Sequence, residues 1–214
     1  MRIMKSVVFT VVLLFGGVAN ASIMLWLDPA VQSDVATGDE VSLTLMVGGL
    51  GDGVPDSLGA FDVDIMFDES LLTFMSYDLF DGLGDIDAFE ADDISWGYDG
   101  ASTINLAEVS YLFDFELDAL QSSSFALADI VFQVGALAAG ESTTVSLSPL
   151  EFSDSSGVSL LVDLGDDAVI TAAQTAVSAP ASSALLGFSF LLLYLRRQTR
   201  TAHTKNLSTT IANC

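Results

Sequence analysis

Carboxylates are the only abundant reactive groups in this sequence: 29 Asp and Glu stand against six Lys and Arg, one His and one Cys. Three of them, Asp81, Asp85 and Asp87, fall in DGLGDIDAFE, where glycines permit a tight loop and oxygen ligands could converge on a hard cation such as calcium. The spacing is not that of an EF-hand, and a solvated polar loop is the competing expectation. Glu90, Asp92 and Asp93 form a second acidic run directly after it. Two carboxylates, one protonated and one ionised, would also suffice for glycoside hydrolysis. In a chain this acidic, however, neighbouring pairs arise by chance, and no sequence feature separates an acid from a base. Trp96 and Tyr98, in ISWGYDG, offer flat rings on which a sugar could stack if they face solvent. Burial at a sheet edge is the commoner fate of large aromatics.

Other chemistries lack their parts. A nucleophilic hydrolase needs Ser or Cys beside a base, and the only histidine, His203, and only cysteine, Cys214, both lie near the C-terminal end. Zinc sites built on His and Cys fail for the same reason, and no internal disulfide is possible. GGLGDG, from Gly48 to Gly53, reads as a loop between strands and not as a phosphate-cradling motif. A non-catalytic protein is expected.

The distribution of charge is as informative as its amount. Arg2, Lys5, Arg196, Arg197, Arg200 and Lys205 are all the basic residues, whereas every Asp and Glu lies between Asp28 and Asp167. The middle of the chain is thus a polyanion that can form no Lys or Arg salt bridge within itself. Nucleic acid is excluded as its partner, because neutralising a phosphate backbone requires the cations it lacks.

The elements that must position these residues read as strands. Val41, Leu43, Leu45 and Val47 alternate with Ser42, Thr44 and Met46, and Phe61, Val63, Ile65 and Phe67 alternate with Asp62, Asp64 and Met66. Such a period of two sets one face on a core and the other toward water. Further strands are expected over 23–27, 71–79, 103–113, 125–134, 143–150 and 168–171. Turns at Thr37-Gly38-Asp39, Asp81-Gly82, Asp99-Gly100, Ala139-Gly140 and Ser155-Ser156-Gly157 separate them. A short helical turn fits 114–120. The pattern predicts an all-β fold, an antiparallel β-sandwich, over residues 22–175. Phe61, Phe67, Phe125 and Phe132 are its expected core aromatics.

SLGAFDVDIMFDESLLTF, from Ser57 to Phe74, preceded by VATGDEVSLTLMVGGLGDG, resembles the cohesin-like domains of exported bacterial proteins. The later SFALADIVFQVGALAAGESTTVSL continues the same pattern of strand, small-residue loop and strand. The resemblance spans roughly residues 23–170. It implies a nine-stranded jelly-roll or immunoglobulin-like sandwich acting as a binding module, whose partner would be a dockerin-like protein or an extracellular polysaccharide.

Both ends of the chain read as handling signals. Arg2 and Lys5, an apolar run from Val7 to Val18 and then Ala19-Asn20-Ala21 make residues 1–21 a signal peptide, with signal peptidase cleavage expected between Ala21 and Ser22. Near the other end, Ala181 to Leu195 is apolar or small; as a helix it would reach roughly 22 Å against a hydrocarbon core of about 30 Å. Arg196 and Arg197 follow at once and would hold that end in the cytoplasm, leaving the acidic domain outside the inner membrane. Residues 176–200 also resemble a PEP-CTERM sorting signal, with Val177, Pro180, Ala181 and Ser182 matching its VPEPAS opening. The resemblance implies an exosortase as processing partner; a plain C-terminal anchor is the alternative. Residues 201–214 form a polar tail.

Overall fold

A computed structural model describes residues 22–51 and 57–174. Among the described residues twelve strands build two sheets facing each other across one core. They are β1 (Ser22–Asp28), β2 (Val31–Val35), β3 (Glu40–Gly48), β4 (Ala60–Phe67), β5 (Leu72–Leu79), β6 (Ala91–Asp93), β7 (Gly97–Tyr98), β8 (Thr103–Ser110), β9 (Ser124–Val134), β10 (Ser142–Ser153), β11 (Leu161–Leu164) and β12 (Ala168–Ala172). One sheet runs β11-β1-β3-β9-β5 and the other β2-β12-β10-β4-β8-β6, with β7 also on β8.

Twelve pieces replace the nine expected strands because three of the nine are divided. The first leaves one sheet as β1 and joins the other as β2; the last divides as β11 and β12; and β6 and β7 are two short pieces beside β8. The sandwich is antiparallel as expected except at two pairings: β1 with β11, and β2 with β12, run in parallel. Alternation along a strand reports which face is buried and carries nothing about the direction of its neighbour.

The predicted alternation is what fills the core. On β4, Phe61, Val63, Ile65 and Phe67 are buried while Met66 is exposed and Asp62 and Asp64 are half-buried on the outer face. Phe132 lies at the centre, with ring centroids 5.1 Å from Phe67 and 6.4 Å from Phe74 in edge-on arrangements. Phe125 is partly buried against the same cluster. In β9 two consecutive residues, Leu127 and Ala128, are buried because the register with β3 slips there, a bulge that lets both side chains face inward.

The helical turn is α1 (Asp114–Leu120), with Leu117 buried beneath it. The Gln121 amide that follows clamps two loops: its Oε1 accepts the Leu58 N–H at 2.8 Å, and its Nε2 donates to the Leu58 and Gly82 carbonyls at 2.8 and 2.9 Å. Just before β4, Gly59 runs so close to the chain at Asp154 and Ser155 that a Cβ would stand 2.5 Å from the Asp154 carbonyl oxygen. Backbone cannot yield as a side-chain tip can. Gly59→Ala is therefore expected to cost about 1–3 kcal/mol of stability, measured by urea unfolding.

Residues 22–174 hold no Lys, Arg or His, so no cation of the domain offsets its carboxylates. Several are instead satisfied locally: Asp129 takes the hydroxyls of Ser42 and Thr44, and Asp68 the hydroxyl and N–H of Ser70, which lowers the Asp68 pKa. Raising NaCl from about 20 to about 150 mM shortens the screening length to about 8 Å and should raise the melting midpoint by several degrees. A scanning calorimetry series that shows no such rise would contradict this.

Candidate functional site

The outer face of the larger sheet carries the most specific arrangement of polar and aromatic groups. Asp62 and Asp64, two apart on β4, point the same way, and Asn105 lies opposite Asp64 on β8. The Asn105 amide donates to Asp62 Oδ1 at 2.7 Å and to Asp64 Oδ1 at 3.0 Å. Its own oxygen accepts the backbone N–H of Trp96 at 3.1 Å. One amide thus fixes two carboxylates and the backbone of an aromatic residue whose side chain is almost free, Trp96 being 92% exposed.

Together with Asp99, Thr103 and Leu150, these residues line a groove of about 430 Å3. Leu150 reaches it because β10 slips register between Pro149 and Glu151, leaving Leu150 without a partner on β4 and standing out from the sheet. Asp99 shapes the rim: its Oδ1 accepts N–H groups of Ala101 and Thr103 at 2.8 and 3.2 Å.

Trp96 and Tyr98 are not brought together as one platform. Gly97 between them has φ +71°, a left-handed conformation that interrupts the alternation of the strand. The Tyr98 ring packs toward Phe67 and Phe74, 5.9 and 5.5 Å away, and its hydroxyl donates to the Ala101 carbonyl at 2.8 Å. Desolvation, then Glu69 and Asp99, raise the Tyr98 pKa. Trp96 alone offers a ring to a ligand in the groove.

Asp81, Asp85 and Asp87 are placed around a tight turn whose hydrogen bonds employ one of them. Asp81 opens a 3-10 turn (Asp81–Leu83), while Asp85 Oδ1 accepts the N–H groups of Asp87 and Ala88 at 2.8 and 3.2 Å. Among the described residues no three carboxylates are drawn together as a ready-made metal cage. In the second acidic run, Asp92 and Asp93 lie in β6, where Asp93 Oδ2 accepts the Tyr77 hydroxyl at 3.0 Å. Glu108, which no motif singled out, is fully buried on β8, and neither of its carboxylate oxygens has a hydrogen-bond partner. Its sequence signal was its phase: it shares the inward face with Ile104 and Leu106. Burial, then the charges of Asp93 and Asp81, push its pKa from 4.5 up to about 8.

Ala21, Val177, Pro180, Ala181, Ser182, Arg196 and Arg197 lie outside the described residues. Ser22 opens β1, its hydroxyl donating to Asp163 Oδ2 at 2.6 Å. Among the described residues no helix is long and apolar enough to cross a membrane.

Two mixed sheets in this order make the domain a cohesin-like β-sandwich. The seventh ScaB type I cohesin from Pseudobacteroides cellulosolvens matches it with a TM-score of 0.56 at 13% identity, over 74% of this chain and 97% of that one. A type I cohesin from Clostridium thermocellum, solved in complex with a dockerin, matches at 0.55 and 10% identity, over 72% and 95%. A non-cellulosomal cohesin from the archaeon Archaeoglobus fulgidus matches at 0.52 and 12%, over 72% and 93%. At these identities the likeness is one of fold. No protein-family model and no curated protein sequence matches the chain.

Proposed function

We propose that this chain is an exported, non-catalytic interaction module that receives a protein partner on the outer face of its larger sheet. The observation that carries this reading is the Asp62-Asn105-Asp64 network with Trp96 standing free above it. A rigidly anchored backbone under an exposed indole, ringed by polar groups, is the composition of an interface hot spot. Support also comes from the fold, since a solved structure that shares it is a cohesin–dockerin complex. The partner is a dockerin-like protein in that sense, and it must bring the Lys or Arg that residues 22–174 lack.

The test is a pull-down from the secreted and envelope fractions of the native cell, with the chain and its Trp96→Ala variant as paired baits. A protein retained by the first and lost by the second is expected. An identical set from both, or none, would remove the reading.

The groove itself favours a second reading, binding of extracellular polysaccharide. Its volume suits a small ligand, and it sets one stacking ring beside an amide and carboxylates able to accept sugar hydroxyls. A glycan array, run with calcium present, decides: binding that Trp96→Ala abolishes would favour the sugar over the protein.

On this proposal signal peptidase releases the chain before Ser22, and an exosortase either removes the segment from about Val177 onward or leaves it as an anchor in the inner membrane. Intact mass of the chain from secreted and membrane fractions is expected to begin at Ser22, with the C-terminal segment lost from the secreted form. A precursor retaining residues 1–21 would contradict export.

A further inference from the structure

Where β8 ends and the chain turns into α1, four aromatic rings stand outside the core: Phe89, Tyr111, Phe113 and Phe115 are 87, 61, 70 and 70% exposed. Backbone pairing brings their two segments together. Ala91 on β6 lies opposite Ser110 on β8, and the Tyr111 N–H donates to the Glu90 carbonyl at 2.7 Å, which sets the turn carrying Phe89 beside the end of β8. Just beyond, the Phe113 and Phe115 rings lie nearly parallel, 7° apart in tilt with centroids 6.0 Å apart. Two of these rings occupy positions where the local backbone favours other residues. Phe89 has φ +61°, a left-handed conformation that suits glycine or asparagine. Phe113 is the extended N-cap of α1, where Ser, Thr, Asp or Asn would satisfy a free N–H and a phenyl ring cannot. These rings neither fill the core nor support their own backbone, so their apolar surface is open to a partner.

We propose that this end of the sandwich is a second docking surface, which takes a basic amphipathic segment of a partner protein. Charge identifies the occupant. Glu90, Asp92, Asp114 and Asp118 are exposed among the rings, and residues 22–174 contain no Lys, Arg or His to answer them. A segment that covers the patch must bring apolar side chains for the rings and cations for the rim, and its guanidinium or ammonium groups can also lie over the phenyl faces. A second copy of the domain would bring the same carboxylates and be repelled. A bilayer is disfavoured as well, because Asp114 sits between Phe113 and Phe115 and would be carried with them toward the hydrocarbon. Tyr111 lies six residues past Asn105, about 20 Å along the chain direction of β8, so this surface is separate from the groove under Trp96.

The test holds the full chain in phosphatidylcholine nanodiscs on a plasmon resonance surface. The probes are a helical peptide of about 18 residues built from leucine, lysine and arginine, and a counterpart with serine in place of leucine, both in about 150 mM NaCl to screen attraction by charge alone. The parent is expected to bind the leucine peptide at least about tenfold more tightly than the serine peptide. Phe89→Asn, Phe113→Ser and Phe115→Ala together should bring the two peptides within about twofold of each other. The thermal midpoint of this triple variant should be no lower than the parent's, since asparagine suits the left-handed backbone and serine the N-cap. Trp96→Ala should leave the preference unchanged. The proposal would be overturned by a parent with no preference, by a preference that survives the triple variant or is lost in Trp96→Ala, or by a triple variant that unfolds several degrees earlier. Ring-dependent capture of a second disc-held chain, or of plain phosphatidylcholine vesicles, in place of the leucine peptide would overturn it too, making the occupant another copy or a lipid surface.

Discussion

In calcium-free buffer at pH 8, Glu108→Gln is expected to raise the unfolding free energy by about 3–4 kcal/mol. Burial, then Asp93 and Asp81, raise the Glu108 pKa from 4.5 to about 8. Below about pH 4.5 the carboxyl is protonated folded or unfolded and its titration costs the fold nothing. Between 4.5 and about 8 the unfolded chain releases the proton while the folded chain retains it, so stability falls as pH rises. Above about 8 the penalty levels off. Glutamine cannot ionise, so the advantage of the variant should be near zero at pH 4, about 2 kcal/mol at pH 6 and largest at pH 8. The charged groups that act on Glu108 are Asp93 and Asp81, and neither is a base that could offset its charge. Urea titrations of parent and variant at these three pH values check the prediction. A constant difference would show that Glu108 does not titrate with folding.

Trp96→Ala should weaken partner binding by about 30-fold or more while leaving the unfolding free energy within about 0.5 kcal/mol of the parent's. The separation of effects follows from exposure: a ring that is 92% accessible contributes area to a complex and almost nothing to the core. Asn105→Ala should act on the same surface through positioning. Removing its amide frees the Trp96 backbone and leaves Asp62 and Asp64 as unrelieved like charges on one strand face. A loss of about tenfold is expected, mostly in the dissociation rate. Surface plasmon resonance with the captured partner measures both. A Trp96→Ala variant that binds as the parent does would detach the surface from the function.

The strands with one wholly buried face were legible in the sequence. β3, β4, β8 and β9 alternate strictly enough to be placed within a few residues, and α1 occupies 114–120 as expected. β8 ends at Ser110, short of the expected 113, because Tyr111 and Phe113 turn out to solvent. What escaped were edge pieces: β2, β6, β7 and β11 are short and largely exposed, so their residues carry no core periodicity. The site was half legible. Trp96 stood out as a ring, but Asp62, Asp64 and Asn105 become a unit only through the register of β4 with β8, and register is a property of the paired strands. The separation of Tyr98 from Trp96 depends on the left-handed backbone at Gly97, which a glycine permits without announcing. Glu108 could have been found by asking which acid falls in phase with buried residues.

The account rests on the outer face of the larger sheet being where a protein docks. A photo-crosslinking amino acid placed at position 96, and in a second chain at exposed Met75 on the opposite sheet, tests this in the native cell. One discrete protein adduct from position 96 and none from 75 is the predicted result. Equal adducts from both positions, or a carbohydrate adduct alone from position 96, would contradict it.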